Sequence, residues 1–364
     1  MDGWQSKAAD KRAALTNLIP SQWKLAPSIV EDLPLNLTSI PAQCEILTDL
    51  DLEITDIDDI QELANRIAAG RYSAVQVAEA FCKRAAIAQQ LINCLAEICF
   101  VQAIERAQYL DNYYQKNDGK TMGPLHGIPI SLKDQFNIQG VETAMAYIGY
   151  LGKKEEYNSI VVDYLLSMGA VLYVKTTLPQ TVMSPDTRSN LLGITRNPLN
   201  RMMNPGGSSG GEGSLIAMKG SICGIGTDIG GSIRFPAASN GIYALKPSDG
   251  RLPYGRTKNS FQGQESIASV IGPMARSLSS LAFFMQSIIG REPWQVDPKV
   301  HPIPWRNHIF EETMKTSLCF GILKADQYQH FSPPIQRALD MSISALRKSG
   351  HHVIEWEATD YHKV

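Results

Sequence analysis

The sequence GGSSGGEGSLIAMKGSICGIGTDIGGSIR, residues 206–234, says most about how this chain folds and what it does. Ten of the 28 glycines of the chain lie between positions 206 and 231. Glycine permits positive φ angles and a close approach of the backbone to a ligand, so this density predicts a loop that presents main-chain N–H groups. Three kinds of site are compatible with such a loop: a phosphate site, the nucleophile elbow of an α/β-hydrolase, and an oxyanion site for acyl chemistry.

A phosphate site is disfavoured by the residues at its critical positions. A Walker-type loop needs a lysine after Gly211, but Glu212 stands there and its carboxylate would repel phosphate. A dinucleotide fingerprint beginning at Gly224 needs glycine where Ile229 stands, and no helix with a later ribose-binding acid follows.

The nucleophile elbow remains a weak alternative. Residues 206–210 fit the pattern G-x-S-x-G, with Ser208 as nucleophile. The elbow requires an apolar strand directly before the serine, whereas TRNPLNRMMNP, residues 195–205, is a loop interrupted by prolines. His126, between Leu125 and Gly127, is typical of a turn histidine, and a base would have to come from the later histidines: His301, His308, His330, His351, His352 and His362.

Ser232 adjoins residues that are suited to binding an oxyanion. The run Ile229-Gly230-Gly231-Ser232 can turn successive N–H groups toward one point. No histidine is near this serine, and a lysine kept neutral by burial is the other known base for a serine nucleophile. Lys133 fits, because it ends the apolar segment GIPISL and desolvation there lowers its pKa. An ion pair of Lys133 with Asp134 or another acid is the alternative.

Composition and charge argue against several classes of partner. The 364 residues are 44% hydrophobic and 19% charged, which is typical of a globular protein with a large core. A formal net charge of -2 predicts no nucleic-acid partner. No stretch has the apolar length of a transmembrane helix and the N-terminus lacks a signal-peptide pattern, so a cytoplasmic location is expected. The six cysteines lack zinc-site spacing and are expected to be mostly buried, reduced thiols, and no metal or cofactor is predicted.

Helix and strand patterns alternate along most of the chain. Residues 1–56 are rich in proline and predict an N-terminal arm with one short helix before Pro20. From residue 57, helical spacing alternates with short apolar strands in NCLAEICF, GIPISLKDQF and GAVLYVKT, and strand and helix patterns begin again at Phe320 and in HHVIEWEA. This alternation predicts an α/β domain over residues 57–364 with helices on both faces of a sheet.

Long motifs in the chain resemble those of the amidase signature family. Residues 206–248 resemble the signature itself, and GPLHGIPISLKDQF resembles the lysine-bearing strand of the family. The resemblance covers roughly residues 60–281 and is greatest to fungal general amidases or acetamidases, which are similar to fatty acid amide hydrolases. It implies a central mixed sheet covered by helices on both faces. It also implies a family chain that continues beyond Val364, so this chain is expected to be truncated at its C-terminus.

The resemblance further implies a Ser–cis-Ser–Lys triad. Ser232 takes the position of the nucleophile, and Lys133 takes that of the base. Ser208 takes the position of the bridging serine, whose peptide bond to Gly207 is cis in the family. A proton would then pass from Ser232 through Ser208 to a neutral Lys133, and no imidazole would be needed.

The same resemblance implies the surroundings of the substrate. Asp228 and Arg234 are expected to orient the loop that carries the nucleophile, in part as a local ion pair. The residues implied to line the substrate site, by N–H groups, hydroxyls or backbone, are Val182, Ser208, Ile229, Gly230, Gly231 and Ser232.

The expected function is an amidohydrolase that cleaves small or aliphatic carboxamides through a serine acyl-enzyme. The expected partner is a small-molecule amide, and a homodimer is compatible with the sequence. Two alternatives remain open: a non-catalytic or weakly active remnant of such an enzyme, and the glutaminase subunit of a tRNA-dependent amidotransferase.

Overall fold

The structure, a computed structural model, describes residues 3–323 and 330–356. The chain divides into two compact units, Met1–Pro304 and Trp305–Val364. The boundary predicted between residues 56 and 57 stays a prediction.

Among the described residues, the first unit contains a six-stranded mixed sheet, two short additional strands, eleven α-helices and four short 3-10 helices. The strands of the unit are β1 Leu95–Ile98, β2 Pro129–Lys133, β3 Val171–Thr176, β4 Arg188–Ser189, β5 Gly193–Ile194, β6 Cys223–Asp228, β7 Tyr243–Ala244 and β8 Val270–Ala275. The helices are α1 Trp4–Asn17, α2 Pro27–Glu31, α3 Ile40–Gln43, α4 Asp49–Thr55, α5 Ile60–Ala68, α6 Ala74–Ile92, α7 Phe100–Lys116, α8 Ile160–Ser167, α9 Gly210–Ala217, α10 Arg234–Asn240 and α11 Leu278–Ile289.

The order of strands in the main sheet is β1-β3-β2-β6-β8-β7. Strand β2 is parallel to both of its neighbours, β3 and β6, while β1, β7 and β8 each pair antiparallel. Every residue of β2, β3 and β6 is buried, because strands inside such a sheet are covered on both faces, and this explains the short apolar sequences around β2 and β3. Helices α6, α7, α9 and α11 pack on the sheet. The expected mixed sheet flanked by helices is therefore confirmed.

Local sequence signals define the helices that follow the arm. Ser73 and Gln76 form a capping box at the start of α6, and Asn93 ends that helix in the left-handed conformation. Gly70 has φ +71 just after α5. The strands and helices predicted between residues 60 and 176 are therefore confirmed.

The N-terminal arm has more regular structure than expected. The expectation of one short helix before Pro20 was incomplete, because α1 is followed by α2, α3 and α4 within the first 55 residues. Helix α4 begins with a capping box between Thr48 and Asp51 and packs against α6. Helices as short as these depend on tertiary contacts for stability, so hydrophobic periodicity in the sequence is a weak indicator of them.

The glycine-rich residues 206–231 are largely regular structure, which corrects the prediction of a single loop. They form α9 and β6, and loops remain at residues 205–209, 218–222 and 229–233. Glycine here makes room for neighbouring groups: a Cβ at Gly224 would overlap the carboxylate of Glu212, and one at Gly226 would lie 2.9 Å from Oγ of Ser209.

The second unit is a small strand–helix–strand arrangement preceded by a helix. Its elements are α12 Asn307–Thr313, β9 Cys319–Ile322, α13 Pro333–Lys348 and β10 His352–Glu355, and β9 pairs with β10 in parallel. The strands predicted from Phe320 and near His352 are seen as β9 and β10, whereas residues 324–329 of the first predicted segment lie outside the described residues. The predicted segment beyond residue 356 lies outside the described residues.

Two further expectations concern the cysteines, which were predicted to be mostly buried and reduced, and membrane-spanning helices, of which none was predicted. Cys82, Cys94, Cys99 and Cys223 are buried and all six cysteines are unpaired with one another, although Cys319 is exposed. Across residues 3–323 and 330–356, no helix has the length and apolar character needed to cross a membrane.

Candidate active site

Lys133 is the last residue of β2 and is completely buried. Its Nζ lies 2.7 Å from Oγ of Ser208 and 2.8 Å from Oγ1 of Thr227. Burial lowers the pKa of Lys133 well below its usual value, and the negative charges of Asp228 and Glu212 offset only part of this effect. A buried amine with hydroxyl partners and a low pKa is suited to accepting a proton at neutral pH.

The alternative reading of Lys133 as the ion-pair partner of Asp134 is wrong. The carboxylate of Asp134 pairs instead with Lys175 on β3, with 2.7 Å between Nζ and Oδ1. The second oxygen of Asp134 accepts the N–H of Met145 at 2.8 Å. Side chains alternate in direction along a strand, so the two adjacent residues 133 and 134 reach different surroundings.

Ser208 lies in a tightly packed loop directly before α9. The Gly207–Ser208 peptide bond is cis, as the resemblance implies. Neighbouring backbone approaches this loop closely: a Cβ at Gly207 would lie 2.8 Å from the carbonyl carbon of Pro185. No strand leads directly into Ser208, since residues 195–207 contain none. The α/β-hydrolase elbow is therefore excluded for this serine.

Ser232 lies in the loop that connects β6 to α10, and the carboxylate of Asp228 organises this loop. Asp228 accepts the N–H groups of Gly231 at 2.8 Å and Ile233 at 3.0 Å. Arg234 donates to both carboxylate oxygens, at 3.1 Å from Nε and 3.0 Å from Nη2. Burial raises the pKa of Asp228, but the hydrogen bonds from Arg234, Ile233 and Gly231 outweigh it and lower the pKa to about 2. The ionised carboxylate of Asp228 thus bonds to three residues of this loop, and the role of the pair in orienting the nucleophile stays a prediction.

The predicted oxyanion donors are the N–H groups of residues 229–232. The N–H of Gly231 already donates to Asp228, which leaves the N–H groups of Ile229, Gly230 and Ser232 as the better candidates. Gly231 has φ +123, a conformation that only glycine adopts readily, so the bend beside Ser232 depends on this residue.

A small cavity brings together four of the six residues that were predicted to line the substrate site. Its volume of about 20 Å³ has room for about one water molecule. Ser208, Ser232, Val182 and Ile229 lie in its wall, whereas none of the histidines of the described part of the chain does. His362 lies outside the described residues. Across those residues, no group of three or more His, Cys, Asp or Glu side chains is placed to hold a metal ion.

The wall of the cavity at Val182 has an unusual backbone. Thr181 and Val182 have φ angles of +71 and +64, and a β-branched residue rarely adopts such a conformation. Val182 packs in a buried cluster with Met145, Ala146 and Leu178. Packing thus holds the strained turn in place, and the role of its backbone at the acyl group stays a prediction.

Sequence reasoning missed several residues of this site. Thr227 and Gln135 line the cavity and lie within the motifs that carried the family resemblance, but neither was given a role. The remaining wall comes from Met183 and from a loop without helical or strand periodicity, and its members are Asn259, Phe261, Gln264 and Ser269. No pattern in a single sequence could have assigned this loop to the site.

Comparisons with known proteins identify a family model and relatives that this chain matches. Residues 76–364 match the family model described as Amidase. The chain is 45% identical over 357 residues to an acetamidase of Emericella nidulans, which covers 97% of this chain and 64% of that protein. An acetamidase of Aspergillus oryzae is also 45% identical over 357 residues, covering 97% of this chain and 65% of that protein. The chain thus spans slightly less than two thirds of these relatives.

This chain is also similar to solved structures. A fatty acid amide hydrolase superposes with a TM-score of 0.91 at 37% identity, covering 99% of this chain and 63% of that one. A native peptide amidase from Stenotrophomonas maltophilia superposes with a TM-score of 0.69 at 25% identity, covering 82% of this chain and 62% of that one.

Proposed function

This chain belongs to the amidase signature family, and we propose that it hydrolyses small or aliphatic carboxamides to a carboxylate and ammonia or an amine. The observation that carries the proposal is the 2.7 Å contact between Lys133 Nζ and Ser208 Oγ, with Ser232 in the wall of the same cavity. The lowered pKa of Lys133 supports its role as the base, because burial favours the neutral amine, whose lone pair can accept a proton.

The proposed reaction has two stages. Ser208 gives its proton to Lys133 and takes the proton of Ser232, whose Oγ attacks the amide carbonyl carbon. N–H groups of the loop 229–232 stabilise the oxyanion that forms. The C–N bond then breaks, the relay runs in reverse to protonate the leaving nitrogen, and an ester with Ser232 remains. Water, activated by the same relay, attacks this ester and releases the carboxylate.

Similarity to named relatives supports a small acyl group. Two proteins that are each 45% identical to this chain are named acetamidase. We therefore place acetamide and similar short aliphatic amides first among the substrates.

Labelling with a fluorophosphonate probe tests the proposal, because such probes react with an activated serine. Wild-type protein is expected to be labelled, and Ser232→Ala to lose labelling completely. Ser208→Ala and Lys133→Met are expected to slow labelling by roughly two orders of magnitude or more, which is the usual range for losing an acid–base group. Ser167→Ala, an exposed serine at the end of α8, is the matched control and is expected to react like the wild type.

Substrate preference is then measured as the release of ammonia. Acetamide is expected to be hydrolysed with a higher kcat/KM than hexanamide or glutamine. A folded wild-type protein that is neither labelled nor active would favour the non-catalytic alternative. Strict dependence on glutamine would favour the amidotransferase subunit.

A further inference from the structure

The side chain of Gln135 links the surroundings of Lys133 to the loop at residues 257–269. Gln135 lies just after β2 and is 1% exposed. Its Nε2 lies 2.9 Å from the carbonyl oxygen of Lys258, and its Oε1 lies 2.5 Å from Oγ1 of Thr227. Thr227 Oγ1 in turn lies 2.8 Å from Nζ of Lys133. A main-chain hydrogen bond also joins Gln135 to this loop: the N–H of Lys258 donates to the carbonyl oxygen of Gln135 at 3.0 Å.

The chemistry of these groups permits one direction for the hydrogen bonds. The carbonyl oxygen of Lys258 can only accept, so the NH₂ end of the Gln135 amide must face it. Oε1 of Gln135 therefore faces Thr227, and since an amide oxygen also only accepts, the hydroxyl of Thr227 must donate to it. The lone pairs of the Thr227 oxygen are then left to accept an N–H of Lys133.

This direction determines what the neutral amine offers to Ser208. A neutral lysine has two N–H groups and one lone pair, and one N–H is engaged by Thr227. The lone pair remains for the hydroxyl proton of Ser208, 2.7 Å away. A Thr227 hydroxyl that was free to turn would donate to the same lone pair and compete with Ser208.

We infer that Gln135 is a positioning residue: it holds the Thr227 hydroxyl as an acceptor, so that the lone pair of Lys133 faces Ser208. The inference rests on the proposed function and adds to it a side chain outside the triad. Gln135 is placed to act through Thr227, with no contact to the reacting atoms required.

The test is a double-mutant cycle with Gln135→Met and Thr227→Val. Methionine has a similar length and removes both polar ends of the amide, and valine removes the hydroxyl. With Thr227 present, Gln135→Met is expected to lower kcat for acetamide and the rate of fluorophosphonate labelling by roughly tenfold to a hundredfold, with little change in KM. In the Thr227→Val background there is no hydroxyl to orient, so Gln135→Met is expected to change kcat by less than about twofold.

Two controls define the role further. Thr227→Ser keeps the hydroxyl and is expected to keep the full sensitivity to Gln135→Met. Gln102→Met makes the same substitution on the exposed side of α7 and is expected to leave kcat and KM unchanged. An equal loss of kcat in both Thr227 backgrounds would mean that Gln135 only supports the loop 257–269, and a rise of KM in both would mean that it contacts the substrate. Either result overturns the inference.

The pKa of Lys133 can be measured without following amide hydrolysis, and this measurement tests the inference separately from the proposed function. NMR titration of ¹³Cε-labelled lysine follows the protonation of Lys133 directly. The carboxylates that face Lys133, Asp228 and Glu212, are unchanged in all these variants, so a change in its titration reports on hydrogen bonding. Gln135→Met is expected to lower the pKa of Lys133 when Thr227 is present, because the released hydroxyl stabilises the neutral amine, and to leave it unchanged in Thr227→Val.

The two proposals fail in different ways. Wild-type protein that is not labelled by the probe, combined with the expected NMR cycle, would end the proposed function and leave the hydrogen-bond direction standing. Labelling that depends on Ser232, combined with an equal effect of Gln135→Met in both backgrounds, would keep the proposed function and end this inference.

Discussion

Replacing Glu212 by glutamine should change how the stability of the protein depends on pH. Glu212 lies in the first turn of α9, is completely buried, and accepts hydrogen bonds from Ser131 and from Thr176, the latter at 2.6 Å. Burial raises its pKa from 4.5 to about 7, although these hydrogen bonds and the charge of Lys133 act in the opposite direction. The folded protein therefore binds a proton at this site more tightly than the unfolded chain does.

The sign and size of the effect follow from this difference in proton binding. The contribution of Glu212 to stability is fully present below pH 4.5, where both states are protonated, and is lost as the pH rises through about 7. A shift of this size corresponds to about 3 kcal/mol in total, of which roughly 2 to 3 kcal/mol falls between about pH 5 and about pH 8. Glutamine resembles the protonated acid in having one accepting and one donating end, and it does not titrate.

Urea unfolding followed by circular dichroism measures this effect. The free energy of unfolding of Glu212→Gln minus that of the wild type should rise by about 2 to 3 kcal/mol between about pH 5 and about pH 8. Taking this difference removes other groups that titrate in the same range, such as Glu97, whose pKa burial raises to about 7. Glu105→Gln, on the exposed side of α7, is the matched control and should follow the wild type. A difference between Glu212→Gln and the wild type that stays constant with pH would refute the reasoning.

Three further predictions follow from the surroundings of the site. Lys175→Met leaves the buried carboxylate of Asp134 without its cation. The free energy of unfolding, measured by urea titration, should therefore fall by about 3 to 5 kcal/mol. A loss below about 1 kcal/mol would contradict the importance of this buried ion pair. Gly231 has a φ of +123, and Gly231→Ala would place a Cβ 2.6 Å from the ring of Phe235. Fluorophosphonate labelling should therefore slow by at least about tenfold. Unchanged labelling would show that the bend at residue 231 is not needed. The labelling rate should fall at low pH as Lys133 takes up a proton, with a midpoint well below 10.5, and a rate that rises only near that value would exclude a neutral lysine as the base.

The central strands were predictable because burial on both sides of a sheet produces short apolar sequences. β2 and β3 were recognised in this way. β6 was not recognised, because its glycines at 224 and 226 weaken the strand pattern, although Ile225 lies within it and Ile222 and Ile229 flank it. Those glycines leave space for Glu212 and Ser209, which belong to another segment of the chain. The need for that space became visible only in the packed structure.

The candidate site was recognised through a family resemblance that covered long motifs in their proper order. From the residues alone, the ion-pair reading of Lys133 remained open, and nothing in the local sequence showed that Asp134 pairs with Lys175. The loop at residues 257–269 has no periodicity, so its contribution to the cavity could not be predicted at all.

The sequence by itself determined which chemical groups this protein has available. It also determined where the chain turns, because strand burial, helix capping and glycine-dependent bends act over a few neighbouring residues. Only the tertiary structure decided which groups meet. Ser208 and Thr227 lie 75 and 94 residues from Lys133 along the chain, yet both contact its amine. Such contacts depend on the order of strands in the sheet, which is decided by packing between distant segments. The direction of each hydrogen bond depends in turn on all the donors and acceptors that this packing brings together.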